Sequence, residues 1–119
     1  MLQAELLECI RPKKTNFEPL SDEATELVAA RFLVLSEASR LKLIIALKDG
    51  AKNVSALVKA TNLSQPNASR HLRTLTDTGV PVRHRKGTEI YYTLAVPGIY
   101  ELVLKVSRDL HQLHNIKPW

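Results

Sequence analysis

The sequence predicts a mainly α-helical domain carrying one two-stranded β-hairpin, and three observations lead there. Apolar residues recur at helical spacing along most of the chain, whereas a single stretch, 82–94, alternates with period two around a Gly-Thr pair. Only four glycines and 5% aromatic residues are present, too few turn formers and sheet formers for a barrel or jelly roll. With 119 residues, 45% of them hydrophobic and 24% charged, the chain has the size and composition of one domain with a packed core.

The elements follow in order. Leu2, Leu6, Cys9 and Ile10 have helical spacing, and the run Arg11-Pro12-Lys13-Lys14-Thr15-Asn16 breaks it, so residues 1–20 read as an arm and linker. Ser21 is an N-cap with Asp22 and Glu23 in the first turn, where the helix dipole favours acids, and Leu27, Ala30, Arg31 and Val34 give a stripe for a helix near 21–35. A second helix restarts at Ser36-Glu37-Ala38-Ser39, carries Leu41, Ile44, Ile45 and Lys48, and is expected to end at Asp49-Gly50 in a left-handed glycine cap. Asn53 caps a short third helix through Ala60, with Val54, Leu57 and Val58 inward.

The next two elements carry the most chemistry. Thr61-Asn62-Leu63 reads as a tight turn in which Asn62 accepts a positive φ, after which Ser64 caps a helix over 64–78 with Pro66 placed early, where its missing N–H is harmless. Ala68, Leu72 and Leu75 point to the core. Gln65, Ser69 and Arg73, with Arg70 beside them, therefore line the opposite face, and Gly79 closes the helix. A short helix, a turn and a capped helix with a polar, basic outer face make a helix-turn-helix. Val82–Lys86 and Glu89–Leu94 then form a basic hairpin about Gly87-Thr88, with Pro81 stiffening its entry at a sheet edge. Pro97-Gly98 breaks the chain before a last amphipathic helix marked by Ile99, Leu102, Val103, Val106, Leu110 and Leu113, and residues 115–119 form a tail. The domain proper is thus expected over 21–114.

Charge sharpens the picture. The formal net charge of +5 concentrates in 64–94, where Arg70, Arg73, Arg83, Arg85 and Lys86 face only Asp77 and Glu89. A localised excess on those elements is the footprint expected against a polyanion. One cysteine excludes an internal disulfide and any Cys-x-x-Cys metal cluster. No stretch reads as a signal peptide or a membrane span, so a cytoplasmic protein with no membrane partner is expected. Neither a Gly-rich phosphate loop nor paired carboxylates in an apolar setting is visible, and no catalytic residue is assigned.

A helix-turn-helix followed at once by a hairpin with cations at its tip is the winged-helix arrangement. The outer face of 64–78 suits a major groove of double-stranded DNA: Gln65 or Asn67 matches adenine edges, and Arg70 or Arg73 reaches guanine or phosphate. Ser64 and Ser69 complete that face, and Arg83, Arg85 and Lys86 reach a neighbouring backbone or minor groove.

The stretches Leu35-Ser36-Glu37-Ala38-Ser39-Arg40-Leu41-Lys42-Leu43-Ile44, Leu63-Ser64-Gln65-Pro66-Asn67-Ala68-Ser69-Arg70-His71-Leu72 and Gly87-Thr88-Glu89-Ile90-Tyr91-Tyr92-Thr93-Leu94 resemble the ArsR/SmtB family of bacterial winged-helix repressors over roughly residues 21–113. The resemblance implies a homodimer, with the helix near 21–35 and the last helix packing across a twofold axis, bound as a repressor to an imperfect palindrome and released by a signal. It also implies where a signal would act. The family's thiolate site at the start of the third helix would need a cysteine near Asn53-Val54-Ser55, and none is there. The zinc-type site on the last helix is half matched: His111 and His114 share a helix face and suit zinc or nickel, but Gly98 and Tyr100 stand where Asp and His are required. Aligning forward from Leu94 gives Asp109 and Gln112 instead, again incomplete. Cys9, on the arm, is the redox candidate, through an intermolecular bridge, a sulfenate or a mixed disulfide; a small apolar residue packed under the arm is the plainer reading. His71 reads as packing or as touching phosphate, and His84 as a pH-dependent wing contact.

The expectation is a dimeric DNA-binding repressor of the ArsR type, not an enzyme, with no assigned cofactor and an unidentified inducer. The alternatives are redox release through Cys9, zinc or nickel sensing through His111 and His114, and a non-regulatory architectural DNA binder.

Overall fold

The computed structural model of the chain describes residues 19–115, so Cys9 and the expected arm helix lie outside the described residues. Helix α1, Asp22–Leu35, begins at Ser21, whose hydroxyl accepts from the Ala24 N–H at 3.1 Å. It is followed by α2, Ala38–Ala46, the two-residue strand β1, Lys52–Asn53, and α3, Val54–Thr61. Next come α4, Gln65–Asp77, the hairpin of β2, Pro81–Lys86, with β3, Glu89–Leu94, and α5, Gly98–His114.

One expectation is corrected. Helix α2 ends at Ala46, not at Asp49-Gly50, because the chain turns over Leu47–Asp49; Gly50 has φ +136, which is not the left-handed cap conformation. Its N-cap is Glu37, within the expected restart, whose carboxylate accepts from the Ser39 N–H. The expected two-stranded hairpin is present, and a further strand joins it: β1 pairs antiparallel with β3, Lys52 opposite Tyr92 and Asn53 opposite Tyr91, giving the order β1-β3-β2.

The core forms where α2, α3 and α4 meet. Leu43, Ile44, Leu47, Leu57, Leu72, Leu75 and Val80 are fully buried there, joined by Ala68, Tyr92 and Ile99. Truncating one such leucine to alanine costs about 2–5 kcal/mol, so the inner face of α4 is firmly held. Helix α1 behaves differently: apart from Leu35 it is not buried, and Leu27, Val28, Phe32 and Leu33 stand in the open. Val106, Leu110 and Leu113 do the same on the outer half of α5, while Ile99 and Leu102 reach the core. No helix among the described residues is long and apolar enough to cross a membrane.

Candidate nucleic-acid interface

The interface is built from the helix pair α3 and α4 and the hairpin that follows. Asn53 caps α3 by accepting from the Ala56 N–H at 2.8 Å. The helix ends at Asn62, which takes φ +61, ψ +17; asparagine tolerates this left-handed conformation, and it turns the chain sharply. Ser64 then opens α4 by accepting from the Asn67 N–H at 3.3 Å, with Pro66 in the first turn. Local chemistry alone thus fixes where α4 starts.

Burial fixes which way it faces. Ala68, His71, Leu72 and Leu75 are buried, whereas Ser64, Gln65, Asn67, Ser69, Arg70 and Arg73 are all exposed. Arg70 donates through Nη2 to Asn67 Oδ1 at 3.4 Å, one turn away, so two of the expected reading side chains are already linked.

The hairpin lies against α4, with Val80 buried at its root and the Pro81 ring beside it. Proline needs no ladder donor here, since β2 is an edge strand. The two-residue loop Gly87-Thr88 has φ +67 at Gly87, the position at which a type II′ turn places glycine. Arg83 sits opposite Tyr92 and Arg85 opposite Ile90. Because side chains alternate along a strand, Arg83 and Arg85 share one face and His84 and Lys86 the other. Arg83 looks toward α4: Ser69, Arg73, Thr76, Asp77, Arg83 and Tyr92 line a groove between helix and hairpin, and Arg83, Arg85 and Ile90 line a second hollow on the hairpin. Lys86 flanks the turn opposite Glu89, whose carboxylate accepts from the Tyr91 hydroxyl at 2.7 Å and from Asn53 Nδ2 at 3.5 Å. That hydrogen bond to an anion raises the Tyr91 pKa above its ordinary value. On the same face as Lys86, His84 Nε2 pairs with Thr93 Oγ1 at 3.1 Å.

Sequence reasoning missed the environment of His71. The ring is buried, so it does not lie on the outer surface where phosphate would meet it. Its Nε2 is 3.3 Å from Oε2 of Glu37, at the start of α2. The hydrogen bond from the Ser39 N–H, aided by the charges of His71 and Arg40, holds the Glu37 carboxyl below the ordinary carboxylate range against an opposing desolvation effect. The other expected site residues, His111 and His114, lie in the last turn of α5, and no cluster of three or more His, Cys, Asp or Glu side chains able to hold a metal ion occurs among the described residues.

A short helix, a left-handed turn and a capped helix with a polar outer face, joined directly to a cationic hairpin, define a winged helix-turn-helix domain. Residues 38–80 match the family described as bacterial regulatory protein, arsR family. Over 76 residues the chain is 40% identical to the arsenic resistance transcriptional regulator ArsR1 of Pseudomonas putida, a match covering 62% of this chain and 59% of that one, so it spans little more than half of that regulator. Over 96 residues it is 30% identical to the HTH-type transcriptional regulator NmtR of Mycobacterium tuberculosis, covering 81% of this chain and 80% of that one. It superposes with a TM-score of 0.67 and 28% identity on the homodimeric winged helix-turn-helix DNA-binding domain of Mb0332 from Mycobacterium bovis, over 82% of this chain and 95% of that one. The chain belongs to the arsR family of bacterial regulatory proteins, which are DNA-binding transcriptional regulators and not enzymes.

Proposed function

We propose that the protein is a homodimeric, sequence-specific repressor that binds a palindromic operator in the cytoplasm and leaves it on receipt of a signal. The observation that carries this reading is the division of α4 into a buried apolar face and an exposed face of Ser64, Gln65, Asn67, Ser69, Arg70 and Arg73, beside a hairpin bearing Arg83, Arg85 and Lys86. In this account α4 enters a major groove, Gln65 and Asn67 meet adenine edges, and Arg70 and Arg73 meet guanine or phosphate. The hairpin cations hold the flanking backbone. The uncovered apolar residues of α1 and α5 are the surfaces on which a second copy packs, in keeping with the homodimeric Mb0332 domain. Two heads on one duplex double the phosphate contacts of a modestly basic protomer.

Selection of bound duplexes from a random pool tests the reading. A twofold-symmetric preferred sequence is the expected result; enrichment of no sequence identifies an architectural binder instead. Repeating the selected-site measurement with zinc, nickel, peroxide and reductant locates the signal. Release by zinc or nickel that is lost in His111→Ala and His114→Ala assigns those ligands, and release by peroxide that is lost in Cys9→Ser assigns the thiol.

A further inference from the structure

His71 occupies the middle of α4, directly after Arg70 and two residues before Arg73, yet it points inward and is only 7% exposed. It faces a divided carboxylate. Oε1 of Glu37 accepts from the Ser39 N–H at 3.2 Å and caps α2, while Oε2 is shielded from solvent and receives no directed hydrogen bond. A shielded carboxylate oxygen left without a donor is expensive, and His71 Nε2 stands 3.3 Å from it.

We infer that Glu37 and His71 are a positioning pair, in which the carboxylate at the start of α2 holds the imidazole of α4 and so sets the rotation at which α4 presents its outer face to DNA. This rests on the reading of α4 as the base-reading helix. The apolar contacts of Ala68, Leu72 and Leu75 hold α4 against the core, but such contacts are non-directional. The carboxylate–imidazole contact adds a polar restraint: Nε2 lies 3.3 Å from Oε2, and a rotation of α4 that carries the imidazole away leaves a shielded carboxylate oxygen with no compensating group near it. A helix with its side chains has a radius of about 5–6 Å, so a rotation of about 10° moves the outward tips by about 1 Å. That is enough to spoil the two-point hydrogen bonds by which Asn67 or Arg70 would tell one base from another, yet too little to lift the helix off the phosphates. Glu37 and His71 touch no DNA in this scheme; they act through Asn67 and Arg70.

The test compares affinity for the selected site with affinity for a random duplex of equal length, in the full chain. His71→Leu keeps a buried apolar side chain and removes the donor; His71→Gln keeps an N–H donor on a side chain of similar reach. The expected result is a loss of about tenfold on the selected site for His71→Leu, with random-duplex binding within about twofold, and His71→Gln within about threefold of the parent on both. Glu37→Gln combined with His71→Leu should lose no more than His71→Leu alone, as coupled neighbours do. Retention of the parent's preference in His71→Leu overturns the pair, and so do equal losses on both duplexes. Should His71→Leu fail to fold, Glu37→Ser decides: serine can still cap α2 but is too short to reach His71, so a parent-like preference there is equally contradictory. A parent that prefers no sequence refutes the reading of α4 itself, a result distinguishable from these.

Discussion

Arg70 Nη2 and Asn67 Oδ1 meet at 3.4 Å on the open face of α4, and Asn67 in turn gives its N–H to the Ser64 hydroxyl. The cap that starts the helix is therefore one link from the guanidinium proposed to read DNA. Asn67→Ala removes both a base-reading amide and the acceptor that steadies Arg70. A loss of about 1–3 kcal/mol on the preferred site is expected, and the double change with Arg70→Ala should lose less than the sum of the two single changes. Anisotropy titrations of the four proteins measure the coupling; strict additivity would show that the two side chains act independently.

Glu89 is an anion beside the hairpin turn, opposite Lys86 and hydrogen-bonded to the Tyr91 hydroxyl. Glu89→Gln should tighten binding to every duplex by about two- to fivefold, the equivalent of one exposed charge interaction. The same change should bring Tyr91 ionisation back toward its ordinary value of 10.0, since the anion is what opposes phenolate formation. Ultraviolet titration of tyrosinate detects that shift, and an unmoved titration curve contradicts the assigned hydrogen bond.

Leu33 and Leu113 are 71% and 75% exposed in the single chain, one on α1 and the other on α5. Leu33→Glu or Leu113→Glu places a charge in the proposed dimer contact, where it must be desolvated. Sedimentation should show a shift from dimer to monomer with the helical content kept, and affinity for a full palindrome should fall toward that for a half-site. A variant that remains dimeric places the contact elsewhere.

The Glu37 carboxyl is held below its ordinary value of 4.5, foremost by the Ser39 N–H. The folded state therefore binds the proton less readily than the unfolded chain does. This contribution to stability is complete above the unfolded value and disappears as pH falls through the lowered folded value. Thermal melting of the parent and Glu37→Gln between pH 3 and 7 should show curves that converge in acid, whereas a constant gap across that range contradicts it.

The parts legible in the sequence were those set by neighbours in the chain. Ser64, the early Pro66, and the spacing of Ala68, Leu72 and Leu75 fixed α4 and its outer face; Gly87 fixed the hairpin turn. What escaped depends on distant partners. Lys52 and Asn53 form a strand only because Tyr92 and Tyr91 lie alongside, and two residues carry no period of their own. The end of α2 was hidden because Leu47 and Lys48 continue the helical spacing while the backbone already turns. The contact between Glu37 and His71 joins two helices, and the only sequence signal was a histidine on the core side of α4.

Salt-dependent binding of Arg70→Ala and Lys86→Ala to the selected site and to a random duplex tests the division of labour between α4 and the hairpin most directly. Arg70→Ala should lose about 1–3 kcal/mol on the selected site and little on the random duplex, relaxing sequence choice. Lys86→Ala should weaken both alike and make the logarithmic salt slope shallower by about 0.9, the value of one phosphate contact. Equal losses on both duplexes for Arg70→Ala would contradict the assignment of α4 as the helix that reads DNA.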